Sequence, residues 1–168
     1  MLIGQKAMTA KILQISISPG GVPKTAIPEV EVTETGLVGD GHNAPDIHGG
    51  LEKAVCLWSQ EVIQQLRAEG HALAPGSAGE NVTLTGLDWA AIGPGVRLKL
   101  GDTVLLEVVS YTTPCRKNMR WFSDKRYSRI SQKHYPGSSR VYARVLQPGQ
   151  IKTGDKVKVL GTPAASER

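Results

Sequence analysis

The chain is 168 residues long and carries 20 Lys or Arg against 15 Asp or Glu, a formal net charge of +5 at neutral pH. That length gives one domain with a core of its own, and 19 glycines, 10 prolines and few aromatics point to short strands and many turns rather than a helical bundle. Two cysteines 59 positions apart exclude a disulfide framework, no apolar run approaches a membrane span, and residues 1–6 lack the apolar run of a secretory signal, so the expectation is a reduced, cytoplasmic protein.

In chain order, residues 1–9 read as a lead-in, 10–160 as one domain and 161–168 as a flexible tail. Residues 10–18 alternate, with Ile15 and Ile17 on one side and Ser16 and Ser18 on the other, which predicts a strand closed by Pro19-Gly20-Gly21. Residues 29–34 alternate again and predict a second strand. Residues 36–50 form a glycine-rich polar loop holding Asp40, His42, Asp46 and His48. Its glycines let backbone amides approach a ligand closely, but its spacing is neither that of a phosphate loop nor that of a dinucleotide fold. His42 and His48 stand six apart, off the spacing of a helical zinc pair. Spacing leaves open whether this is a ligand loop or an ordinary long one.

Residues 53–58 predict a short buried strand in which Cys56, with no cation beside it, is core rather than chemistry. Ser59 is placed to cap a helix over 60–69, with Val62, Ile63 and Leu66 on one face and Gly70 at its end. A glycine-rich approach leads to Glu80 and Asn81 at the start of a strand over 80–85, a placement able to bring both side chains to a pocket. Residues 96–109 read as a hairpin turning at Gly101-Asp102, and residues 150–160 echo that plan at Gly154-Asp155. Short helical pieces are predicted over 118–122 and 128–134, and a strand over 139–147. About seven punctuated strands and one clear helix make a mainly β fold, a closed or nearly closed barrel with a few short helices.

Cys115 follows the apolar run 104–109 and the strand-ending Pro114, so it falls where loops hold chemistry. Arg116 and Lys117 follow at once, and adjacent cations favour thiolate over thiol. A thiolate there is suited to binding a soft metal, carrying sulfur or attacking an electrophile, while a small buried hydrophobe is the bland alternative. From Cys115 to Val145 there are nine Lys or Arg against Asp124 alone, a stretch that favours an anionic partner or is simply a solvated basic face.

The order and spacing of several motifs resemble the MOSC family, named for the C-terminal domain of molybdenum cofactor sulfurase. They are Gly39-Asp40 with His48-Gly49-Gly50 and Lys53-Ala54-Val55, then Gly79-Glu80-Asn81, Pro114-Cys115, and Gly149 with Gly154-Asp155, over roughly residues 10–160. The resemblance implies a β-barrel that binds the molybdenum cofactor (molybdopterin), with Cys115 as metal ligand and central residue. It further implies that the loop 36–50 and Cys115 share one cavity. In members similar to the amidoxime-reducing component, the matching cysteine holds molybdenum and the protein reduces N-hydroxylated compounds.

On this reading Asp40, Lys53, Asn81 and Arg116 contact cofactor or substrate, and His48 shuttles a proton, since histidine titrates near neutral pH. The 168 residues hold no pyridoxal-phosphate domain, so pyridoxal phosphate is not expected, and no iron–sulfur or flavin module, so electrons are expected from a donor protein. The rival reading makes Cys115 a persulfide carrier served by a cysteine desulfurase. A non-enzymatic anion or nucleic-acid binder is the third; nucleic acid is disfavoured because the basic stretch lacks aromatic platforms, Trp121 and Tyr127 reading as core.

Overall fold

The structure, a computed structural model, describes residues 9–41 and 50–161. Among these are eleven strands: β1 (Lys11–Ile17), β2 (Thr25–Ile27), β3 (Glu29–Thr33), β4 (Gly36–Leu37), β5 (Val55–Ser59), β6 (Val82–Thr85), β7 (Arg97–Leu100), β8 (Val104–Tyr111), β9 (Val141–Gln147), β10 (Gly149–Lys152) and β11 (Val157–Gly161). One α-helix, α1 (Gln60–Ala68), joins four short 3-10 turns. Eight strands form one sheet in the order β11-β7-β8-β9-β5-β6-β1-β2, and β10-β3-β4 form a second.

The mainly β reading with few helices holds. The strand pairing among the described residues does not amount to a closed barrel. The large sheet ends at β11 and β2, and the ends approach through backbone bonds at the foot of β1, Ile12 N–H to Asp155 O at 2.9 Å and Val157 N–H to Ala10 O at 3.0 Å, with one isolated bridge from Lys11 to Lys156. The expected hairpin at Gly154-Asp155 is a correction: β10 pairs with β3 in the small sheet, while β11 crosses to β7 in the large one. The same Gly-Asp pair at Gly101-Asp102 does turn the β7–β8 hairpin. Local sequence sets a turn; partners further off decide where its strands go.

β5 sits near the middle, antiparallel to β9 and parallel to β6. All five of its residues are buried, which is why it reads as an unbroken apolar run rather than an alternating one. The parallel step from β5 to β6 requires a crossover, and α1 supplies it. Ser59 caps that helix as its sequence suggests, its hydroxyl accepting Val62 N–H at 3.2 Å, and Ile63 and Leu66 face the core. Ser16 in β1 and Ser18 just past it are buried as well as Ile15: Gly76 packs against the Ser16 side chain, and Ser18 Oγ donates to Gly21 O at 3.0 Å. No helix among the described residues is long and apolar enough to cross a membrane.

The registers bring the end of β8, the start of β9, the approach to β6 and the end of β1 to one end of the large sheet. Leu57, at the centre of β5, is fully buried. Leu57→Ala is expected to cost about 3 kcal/mol through lost burial and the cavity left behind, read as a lowered midpoint in urea unfolding followed by far-UV circular dichroism.

Candidate functional site

At that end of the sheet lies a cavity of about 80 Å³, with Cys115, Cys56, Lys53, Asn81, Asn118 and Arg140 in its wall. Cys115 is half-buried, four residues past the end of β8, and its carbonyl accepts Asn118 N–H at 2.9 Å to start the 3-10 turn Arg116–Trp121. The segment carrying it is held against the start of β9, where Thr112 N–H donates to Arg140 O at 3.0 Å. Cys115 thus stands in the wall of a cavity that Arg140 also lines. The glycine-rich loop reaches the same cavity at Gly41, whose N–H donates to Ser18 O at 2.7 Å. Only glycine fits there, since a Cβ would stand 2.2 Å from Pro19 O. His42 and His48 lie outside the described residues.

Asp40 is not in the cavity wall. Its carboxylate accepts Lys24 Nζ at 2.7 Å on both oxygens, Ser18 N–H at 3.0 Å and Asn81 Nδ2 at 2.9 Å. Asn81 lines the cavity, yet its amide is also committed: Oδ1 accepts Cys56 N–H at 3.0 Å while Nδ2 serves Asp40. The two residues thus brace the site from behind. Lys53 is in the wall, its ammonium 5.4 Å from the Tyr142 ring centroid, a cation–π distance. Arg116 faces elsewhere, into an adjoining basic cleft shared with Lys117, Arg120 and Lys125. Glu80 is wholly buried behind the wall, with Oε1 unpaired.

Cys56 is core, as its sequence context suggests, but its side of β5 also faces the cavity. Burial pushes its thiol up to about 11, only partly offset by the charge of Arg140, so it is protonated at neutral pH. Burial likewise raises Tyr142 to about 12 and Glu80 to about 7. Sequence reasoning missed Lys24, Asn118, Arg140 and Tyr142. Arg140 stood unmarked among nine cations, and nothing near Lys24 signals a partner sixteen residues on.

Among the described residues no group of three or more His, Cys, Asp or Glu is arranged to hold a metal ion by itself. One soft sulfur beside cations is a donor set for a metal that brings other ligands with it.

The MOSC domain model matches residues 44–158. A protein named "Reductase" from Gibberella moniliformis is 34% identical over 134 residues, 77% of this chain and 23% of its own length. The uncharacterized protein YflK of Bacillus subtilis is 29% identical over 86% of this chain and 64% of its own. The chain thus spans less than two thirds of either curated relative. The crystal structure of the YuaD protein from Bacillus subtilis superposes with a TM-score of 0.74 at 20% identity, covering 93% of this chain and 98% of that one, a likeness of fold.

Two outcomes follow from the buried charges. Lys24→Met leaves the Asp40 carboxylate, 4% exposed, without its cation; the expected loss is about 3 kcal/mol in urea unfolding, partly recovered by adding Asp40→Asn. Glu80 is raised in the folded chain above its usual 4.5, so the native state binds more protons than the unfolded one and stability falls as pH rises from about 4.5 through about 7. Unfolding midpoints measured between pH 4.5 and 7.5 are expected to show that decline, and Glu80→Gln to flatten it.

Proposed function

The chain belongs to the MOSC domain family, and from that premise we propose that it binds the molybdenum cofactor through Cys115 and acts as a reductase of N-hydroxylated compounds. The observation that carries this reading is the position of Cys115: half-buried, on the wall of a cavity, just beyond a strand end, with Lys53 and Lys117 on the same wall. The relative named as a reductase favours a redox role over a purely binding one.

The residues fit the group. A molybdenum centre with sulfur ligands of its own needs one soft thiolate from the protein, and Cys115 is the cavity thiol suited to it, since Cys56 stays protonated. Lys53 and Lys117 would offset the negative charge of the cofactor and its phosphate. When bound, the cofactor supplies a metal able to change oxidation state and accept oxygen. The overall reaction breaks an N–O bond, takes two electrons and two protons, and releases water. The electrons come from a donor protein. His48 is proposed on its sequence position alone as the group that delivers a proton. Asp40 and Asn81 act by fixing the wall, through Lys24 and the Cys56 amide, while Arg116 sits where a partner or an anionic group arrives.

The test is metal analysis of protein made in a host that synthesises molybdopterin. Molybdenum is expected in the wild type, reduced at least tenfold in Cys115→Ser with the fold unchanged by circular dichroism, together with loss of N-hydroxylated substrate turnover. Absence from the wild type, or equal content in both, overturns the reading. A reducible sulfur adduct on Cys115 in intact-mass spectra, appearing with a desulfurase and cysteine, would then favour sulfur carriage.

A further inference from the structure

Two side chains in the cavity wall are buried with hydrogen-bonding capacity left over. Arg140 is 5% exposed. Its Nη1 donates to Ala78 O at 2.7 Å, but Nε and Nη2 are buried and meet no acceptor among the described residues. No carboxylate among those residues lies in ion-pair range of it. Asn118 is 1% exposed, donates from Nδ2 to the same Ala78 carbonyl at 3.2 Å, and leaves Oδ1 without a donor. An unpaired buried polar group costs about 1–3 kcal/mol, and more when charged. Such a cost at a cavity wall is what a binding site looks like before its guest arrives.

Ala78 O accepts from both residues, so their side chains converge on one stretch of the wall. Nε and Nη2 form the edge of a guanidinium that pairs with two oxygens of a carboxylate or phosphate. The bare Oδ1 of Asn118 asks for a hydroxyl. The cavity, at about 80 Å³, has room for a group the size of several waters. Lys53 and Lys117 in the same wall add positive potential.

We propose that Arg140 and Asn118 form a subsite for a small oxyanion that carries a proton, such as hydrogen phosphate or the acid group of a hydroxylated guest, seated beside Cys115. Arg140 takes two of its oxygens, and Asn118 Oδ1 accepts its O–H. The subsite requires neither metal nor cofactor, so it stands or falls apart from molybdenum binding.

The experiment uses the metal-free 168-residue chain. The rate at which iodoacetamide labels Cys115, read by peptide mass, is followed as inorganic phosphate or acetate replaces chloride at constant ionic strength. Phosphate is expected to slow labelling saturably. Arg140→Lys, which keeps the charge and loses the paired edge, and Asn118→Ala are each expected to weaken the apparent affinity about tenfold, roughly 1.4 kcal/mol. Protection by phosphate and not by acetate is expected, because acetate at neutral pH has no O–H to give Asn118 Oδ1; equal protection by acetate overturns the role given to Asn118. A thermal-shift titration of molybdenum-loaded protein separates the sources. Stabilisation by phosphate that persists marks a substrate subsite, and stabilisation that disappears marks the place of the cofactor's own phosphate. No saturable protection of the wild type by either anion, or protection unchanged in both variants, overturns the proposal, whatever the metal content shows.

Discussion

The arrangement of the site depends on one buried carboxylate. Asp40 collects four donor contacts, two from Lys24 and one each from Ser18 N–H and Asn81 Nδ2, with its side chain 4% exposed. A charge that deep is tolerable only when its lone pairs are filled and its counter-ion is near. The requirement ties together the end of β1, the segment before β2, the loop after β4 and the approach to β6. Asn81 passes the constraint on, because its Oδ1 holds the Cys56 amide on β5. The backbone bears the imprint as well: Lys24 N–H donates to Gly76 O at 2.9 Å, and a Cβ at Gly76, where φ is +87°, would stand 2.5 Å from Lys24 O. A residue that packs this closely in a left-handed conformation has to be glycine.

Above that rigid floor, the two cysteines divide by environment. Cys56 belongs to a strand buried on both sides, and desolvation keeps its sulfur protonated. Cys115 belongs to the loop after β8, half-exposed, with its chain neighbours in a basic cleft. Tyr142, opposite Cys56 in the β5–β9 register, keeps its phenol proton for the same reason Cys56 keeps its own. At neutral pH the wall therefore offers neutral protic groups and cations, a surface complementary to a negatively charged guest.

Much of this was legible in the sequence where the signal is local. The Ser59 cap, the Gly101-Asp102 turn and the strand end before Cys115 each depend on neighbours a few residues away. Long-range geometry was not legible. The same Gly-Asp pair recurs at Gly154-Asp155, yet β10 and β11 part to different sheets because β3 and β7 offer them edges. Asp40 and Asn81 were marked as site residues, but which way their side chains are committed depends on Lys24 and Cys56, sixteen and twenty-five residues from them. Arg140 meets Ala78 across sixty-two residues, and no pattern around either foretells it.

The segment between α1 and β6 is where these contacts converge. Gly76 O receives Lys24 N–H, Ala78 O receives both Arg140 and Asn118, and Asn81 joins Asp40 to Cys56. Glu80, buried between them, meets the charge of Arg140 from behind the wall. A short loop with so many of its carbonyls spoken for has little freedom to move, since each shift would strip a buried donor of its acceptor. The side chains of Arg140 and Asn118 are accordingly held in place by that loop, through the Ala78 carbonyl they share. An occupant that reaches their orphaned atoms supplies the partners those atoms lack, and the gain is that of pairing buried groups which otherwise carry an unmet desolvation cost.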